Sequence, residues 1–241
     1  LDREKVQQDV NRIAEMGYFA NVEAVPAARS GGVELTFVVT EFPVVRSFTV
    51  EVAEGVVSES DVKALFSVRV GEILNARLLG DELDALPIKS GEVLGYVLRP
   101  TDVGFRGEQG DELYLAVTPV RVGKVRLEGN EKTKDHVILR ELPFKEGDIL
   151  SMDQVRTGLM KLGQLGYFEP IVPEFLTTSD PLVVDILLPI VESKTGRAAF
   201  GGGYSSQDGL IGYVEVADDN FLGRGERAQV KWEFGRNKNT Y

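Results

Sequence analysis

The side chains able to do chemistry are few and scattered. The 241 residues hold a single histidine, His136, and no cysteine. One imidazole without thiolates cannot make a usual zinc site, and no Ser-His-Asp set can be drawn around it. Asp218 and Asp219 are adjacent carboxylates. On a strand, neighbours point to opposite faces, the wrong arrangement for a paired general acid and base unless a loop intervenes. Gly223-Arg224-Gly225-Glu226-Arg227-Ala228 fits a loose dinucleotide fingerprint, yet strand-like sequence follows where a helix is required. Gly201-Gly202-Gly203 lacks the Lys-Ser/Thr of a phosphate loop, so its glycines read as a bend or a close approach between strands. No catalytic residue, metal or cofactor is expected.

Composition narrows the partners. The formal net charge is -11, from 38 acidic and 27 basic residues. That balance argues against nucleic acid and against anionic headgroups, which call for clustered Lys and Arg. No disulfide framework is possible, and no run approaches the roughly 18 apolar residues of a membrane helix. Leu1-Asp2-Arg3-Glu4-Lys5 has no signal-peptide core and reads as the inside of a helix, so the chain is expected to start within a module.

The elements that must position these residues repeat. A helix-like run ends three times in the same phrase, at Gly17-Tyr18-Phe19, Gly95-Tyr96-Val97 and Gly166-Tyr167-Phe168, and strand-like sequence follows each. The third copy is the clearest. A strand is expected over 122–127, stopped by Gly129-Asn130, and a short helix over 133–142, ended by Pro143. Ser151 and Gln154 match a capping box, and Val155, Leu159, Leu162 and Leu165 then follow near helical spacing. Strands near 171–175 and 182–188 complete the order β-α-α-β-β. In the second copy a strand is expected over 48–52 and a helix over 58–65. Gly71-Glu72-Ile73-Leu74 stands 76 positions before its counterpart Gly147-Asp148-Ile149-Leu150. Its second helix, from Asn75, should be interrupted at Pro87. Strands near 97–103 and 113–117 follow. The first copy shows only its second helix, 3–16, and strands near 22–25 and 33–40.

From Gly196 the period changes. Ala228, Val230, Trp232 and Phe234 alternate with Gln229, Lys231 and Glu233, and residues 197–205 and 210–216 are further strand candidates. Alternation alone fits a membrane-barrel strand and a soluble two-faced sheet equally well.

These landmarks resemble the polypeptide-transport-associated (POTRA) domains of the BamA-type outer-membrane assembly family. Gly201-Gly202-Gly203-Tyr204-Ser205, Gly209-Leu210 and Asp219-Asn220-Phe221-Leu222-Gly223-Arg224-Gly225 resemble the opening strands of that family's barrel. The resemblance covers nearly the whole chain. It implies an α+β fold: tandem POTRA modules, each a three-stranded sheet with two helices, then the opening antiparallel strands of a transmembrane β-barrel. The modules would span 1–43 (lacking its first strand and first helix), 44–120 and 121–193, with the barrel starting at 194–241. Three strands leave edges that lipid does not tolerate, so the chain is expected to be part of a longer protein. Gly104-Phe105-Arg106-Gly107, superficially like the family's lumen-loop motif, reads as an ordinary turn.

The resemblance also implies a function by contact, not catalysis: assembly and insertion of β-barrel proteins into the outer membrane of a diderm bacterium, with the modules in the periplasm. Unfolded clients would add a strand to an open sheet edge. In the family that edge is the second strand of a module, which here points to Val97, Leu98, Arg99, Thr101 and Val103. In the last module Pro170 and Pro173 discourage pairing, so it would instead pack near the barrel or bind an accessory lipoprotein or chaperone. Arg197, Phe200, Gly201, Gly202, Gly203 and Tyr204 would form one side of a lateral seam, weakened by glycine. A two-partner secretion or autotransporter-assembly transporter, or a soluble periplasmic POTRA scaffold, are the other readings.

Overall fold

Gly71 and Gly147 show why two copies share a landmark. Both hold left-handed φ, +92° and +89°, and fold the chain back beside the start of a module's first strand. In one copy Val45 N–H donates to Glu72 C=O at 2.9 Å, and Gly71 N–H donates to Val45 C=O at 2.8 Å. In the other, Val122 N–H donates to Asp148 C=O and Gly147 N–H to Val122 C=O, both at 2.8 Å. The computed structural model describes residues 2–206, 209–235 and 238–240. It divides into two compact units, Leu1–Val120 with Ile149–Met152, and Arg121–Asp148 with Asp153–Tyr241.

The first unit opens with helix α1 (Arg3–Ala14), capped by the Asp2 carboxylate. A long hairpin follows, β1 (Phe19–Arg29) and β2 (Gly32–Glu41), paired from Arg29↔Gly32 outward. Next comes a three-stranded sheet ordered β3-β5-β4, from β3 (Ser47–Val52), β4 (Leu98–Arg106) and β5 (Glu112–Pro119). Strand β3 runs parallel to β5 and β4 antiparallel to it, so helices α2 (Glu59–Lys63) and α3 (Ala76–Val93) form the crossover. Leu113, Leu115 and Val117 alternate along β5 into a core shared with Val50, Val62, Leu86 and Leu98.

Helix α3 runs unbroken through Pro87, contrary to the expected interruption. An interior proline costs about 3 kcal/mol. Leu79 and Leu86, which precede the proline and are almost fully buried, offset it by about 1.5–3 kcal/mol each. Strand β4 also differs from expectation. It starts at Leu98 and continues to Arg106, so Gly104, Phe105 and Arg106 are strand, and only Gly107, at φ +86°, turns.

The second unit repeats the plan with β6 (Arg121–Glu128), α4 (Asp135–Leu139), α5 (Met152–Leu165), β7 (Glu174–Thr177) and β8 (Val183–Pro189), in sheet order β6-β8-β7. Val137, Ile138, Val155, Leu162, Ile186 and Leu188 fill its core. A register shift interrupts β6 between Val122 and Val125. There the buried Asp185 accepts the Lys124 N–H at 2.7 Å and pairs with Arg126 at 2.9 Å, and any side chain at Gly123 would meet its carboxylate. Strand β7 begins only after Pro173, later than expected, and is four residues long.

A four-stranded antiparallel sheet ends the unit, ordered β12-β11-β10-β9, from β9 (Gly196–Ser205), β10 (Gly209–Asp218), β11 (Ala228–Gly235) and β12 (Lys238–Thr240). Cross-strand pairing puts Phe200, Val214 and Trp232 in one row, with Tyr204 beside Leu210 and Val216 beside Val230 on the same face. That face is apolar and open: Phe200 is 87% exposed, Tyr204 80% and Val230 73%. The opposite face carries Glu215 against Lys231 and Tyr213 against Glu233.

Candidate functional site

Strand β4 is an edge of its sheet, and its backbone phase decides what it can offer. Residues of the regular strand β5 face β4 and β3 in turn. Val120 N–H donates to Val97 C=O at 2.8 Å, which fixes the phase. Followed along the register, Arg99, Gly104 and Arg106 turn their backbone groups inward, while Leu98, Pro100, Val103 and Phe105 turn theirs outward. The outward Leu98 N–H is already donated to Ser90 Oγ at 2.9 Å, and Pro100 has none. Thr101 sits in a bulge between Pro100 and Asp102. The N–H groups left to an incoming strand are those of Val103 and Phe105.

The five residues expected at this edge are therefore not equivalent. Val97 lies outside the strand and donates its N–H to Leu150 C=O at 3.3 Å. Leu98 is buried, Arg99 faces β5, Thr101 is bulged, and Val103 alone faces outward with both backbone groups. Phe105 belongs with it, and sequence alone misses it because the phase beyond a bulge cannot be counted without the bulge. Beside this edge Arg106 stacks over the Tyr114 ring, 3.2 Å from its centroid. The Tyr114 hydroxyl donates to Glu51 at 2.5 Å, and that hydrogen bond raises the phenol's pKa.

In strand β9, Phe200, Gly202 and Tyr204 share the apolar face, and Arg197, Gly201 and Gly203 the other. Gly201 has a packing reason: a Cβ there would lie 2.6 Å from the Tyr213 ring on the neighbouring strand. Gly203 meets no such neighbour. Arg197 donates to the Asp219 carboxylate at 2.6 Å, which joins the start of β9 to the 219–225 motif.

That motif forms the turn between β10 and β11, and the turn is seated on the preceding module. Asn220 is fully buried. Its amide donates to Thr133 Oγ1 at 2.7 Å, and its Oδ1 accepts the Gly225 N–H at 2.8 Å. The Thr133 hydroxyl in turn bonds Glu192, whose carboxylate also accepts the N–H groups of Lys132 at 2.8 Å and Thr133 at 2.6 Å. Burial raises the Glu192 pKa, and these hydrogen bonds outweigh it, leaving the group below its ordinary value. Gly223 C=O accepts the Lys134 N–H at 2.9 Å. At φ +72°, a Cβ on Gly223 would fall 1.8 Å from the Lys132 carbonyl oxygen, so no other residue fits. Lys132 reaches Asp218 at 2.9 Å and Thr195 at 2.8 Å, and Tyr167 donates its hydroxyl to Asp219 C=O at 2.8 Å. Phe221, Leu222 and Arg224 complete the turn, Leu222 at a left-handed φ of +54°.

The side chains facing the motif were not foreseeable from the motif itself. Thr133, Glu192 and Lys132 are ordinary polar residues roughly 30 to 90 positions away in sequence.

Residues 120–192 match the POTRA family, described as "Surface antigen variable number repeat". The chain is 31% identical over 124 residues to the outer membrane protein assembly factor BamA of Nitratidesulfovibrio vulgaris, covering 51% of this chain and 15% of that protein. It is 29% identical to a putative outer membrane protein assembly factor of Treponema pallidum, over 92% of this chain and 29% of that one. The structure of POTRA1-3 of the periplasmic domain of Omp85 from Anabaena superposes with a TM-score of 0.60 at 26% identity, over 79% of this chain and 82% of that chain.

The chain matches the POTRA family over one module and is similar to BamA and Omp85 proteins. The two curated relatives are named as outer membrane protein assembly factors, and the Anabaena structure is of a periplasmic domain. The chain spans less than a third of the length of the two curated relatives named above.

Proposed function

We propose that this chain is the part of an outer-membrane β-barrel assembly factor where periplasmic modules meet the membrane. Unfolded barrel precursors add a strand at the β4 edge, and strands β9–β12 open the transmembrane barrel. The observation that carries the reading is the two-faced sheet. Its open face, apolar along most of its length, is the lipid-facing pattern of a barrel strand, and its opposite face carries the charged pairs expected of a lumen.

The same reading places residues 1–43 as the second half of a module. Strands β5 and β8 each carry a parallel first strand, and β2 presents the corresponding edge with no partner among the described residues. The domain limits at 44, 121 and 194 are part of this proposal, as is an accessory lipoprotein or chaperone at the last module.

Fractionation of the natural full-length protein with heat-modifiable gel migration tests the barrel. A membrane-embedded, heat-modifiable product supports it, and a product soluble without detergent leaves only a POTRA scaffold. Photocrosslinking from Val103 in cells tests the client class. Many different barrel precursors are expected, and a single dedicated partner would mean a two-partner secretion transporter.

A further inference from the structure

We propose that the 219–227 turn is a plug that fixes the last POTRA module and the start of strand β9 as one rigid body, with Asn220 and Thr133 as its positioning residues. The inference rests on reading β9–β12 as the barrel opening. The turn makes contacts of three kinds, and they differ in what they can do. Lys132 with Asp218 and Arg197 with Asp219 are half-exposed ion pairs, which orient little on their own. The Asn220–Thr133 bond is different: both residues are at most 2% exposed, and Asn220, Thr133 and Glu192 form a chain with the Thr133 hydroxyl direction set by the carboxylate. Tilting the module away from the sheet strips all three groups together in a water-poor site.

The third kind is steric. Gly223 and Gly225 let the turn's backbone lie against the module where a Cβ would meet the Lys132 carbonyl oxygen, or Val137 and Arg140 at 2.8 and 2.7 Å. Contact that close leaves no room to slide. The same turn grips β9: Arg197 is held by Asp219, and the Asp219 N–H donates to Thr195 C=O at 3.2 Å, just before β9 begins. A displacement of the module is therefore delivered to the base of β9 and not absorbed in a linker.

The test is a spin-label distance measurement in the full-length protein. Labels go on cysteines at Met160 of α5 and Leu210 of β10, exposed by 55% and 72%, in a stretch with no cysteine of its own. One narrow distance peak is expected. Thr133→Val, which keeps the shape and removes the hydroxyl, should lose that single peak, and Thr133→Ser should restore it. A broad wild-type distribution, or a Thr133→Val peak as narrow as wild type, overturns the proposal. Should Thr133→Val fail to fold, judged by heat-modifiable migration, Asn220→Asp with the same two labels decides in its place. The wild-type protein lacking heat-modifiable migration refutes the barrel reading separately, because the distance peak is read independently of it.

Discussion

Val103→Pro is the sharpest test of the β4 edge. Proline removes the outward N–H of Val103 and leaves inward bonding to β5, made by Gly104 and Arg106, in place. The preceding Asp102 is already in extended backbone, as a residue before proline must be. An incoming strand meets two N–H donors here, at Val103 and Phe105, and the substitution deletes one of them. A net backbone hydrogen bond contributes about 1 kcal/mol, so binding of an extended client peptide should weaken roughly fivefold. The assay is fluorescence anisotropy of a labelled peptide from an unfolded barrel protein against the full-length factor. Val103→Ala is the control, since it trims the side chain and keeps the N–H, and should stay within about twofold of wild type. Equal loss in both variants would mean that the side chain carries the contact. Undiminished binding by Val103→Pro would falsify the augmentation site.

Three further outcomes are expected. Asn75 caps α3 by accepting the Leu78 N–H at 2.9 Å and also donates to Met16 C=O at 3.1 Å, so Asn75→Ala should cost about 1–2 kcal/mol, read as faster hydrogen exchange in both α1 and α3. Asp185→Ala leaves the Lys124 N–H without its acceptor, and should destabilise the module by about 1–3 kcal/mol in urea unfolding, whereas the exposed Asp153→Ala should change it by less than about 0.5 kcal/mol. Glu192 has a folded-state pKa below its ordinary 4.5, so its stabilisation is fully present above that value and is lost as pH falls through the depressed one. Wild type should lead Glu192→Gln in stability near pH 7 and lose that lead on acidification, and a gap that widens in acid would contradict the hydrogen-bond account.

The repeated order of strands and helices could be read from sequence because it rests on local signals. Gly17, Gly95 and Gly166 each hold a left-handed φ, between +70° and +83°, that only glycine adopts cheaply. Two-residue alternation placed β11 within a residue of its ends. The failures have one cause. Pro87 in α3, the bulge at Thr101 and the late start of β7 are all settled by tertiary packing or by backbone phase, neither of which leaves a periodic trace. The turn's partners were hidden for the same reason, since Asn220 reads as one more turn asparagine until Thr133 is beside it.

The recurring Gly-Tyr phrase then acquires a reason beyond ending a helix. A glycine at the C-terminal cap leaves its own carbonyl pointing onward and unspent. Gly17 C=O accepts the N–H of Ala76, the first residue of α3, at 2.8 Å, and Gly95 C=O accepts the N–H of Met152 at 2.8 Å, a residue that groups with the same unit. In both, a carbonyl just past one helix's end takes up an N–H from a later first turn, which satisfies two of the backbone groups that helix ends leave unpaired. In the third copy the tyrosine of the phrase takes over, Tyr167 donating to Asp219 C=O in the turn between β10 and β11. The same short phrase thus supplies a backbone acceptor in two copies and a side-chain donor in the third.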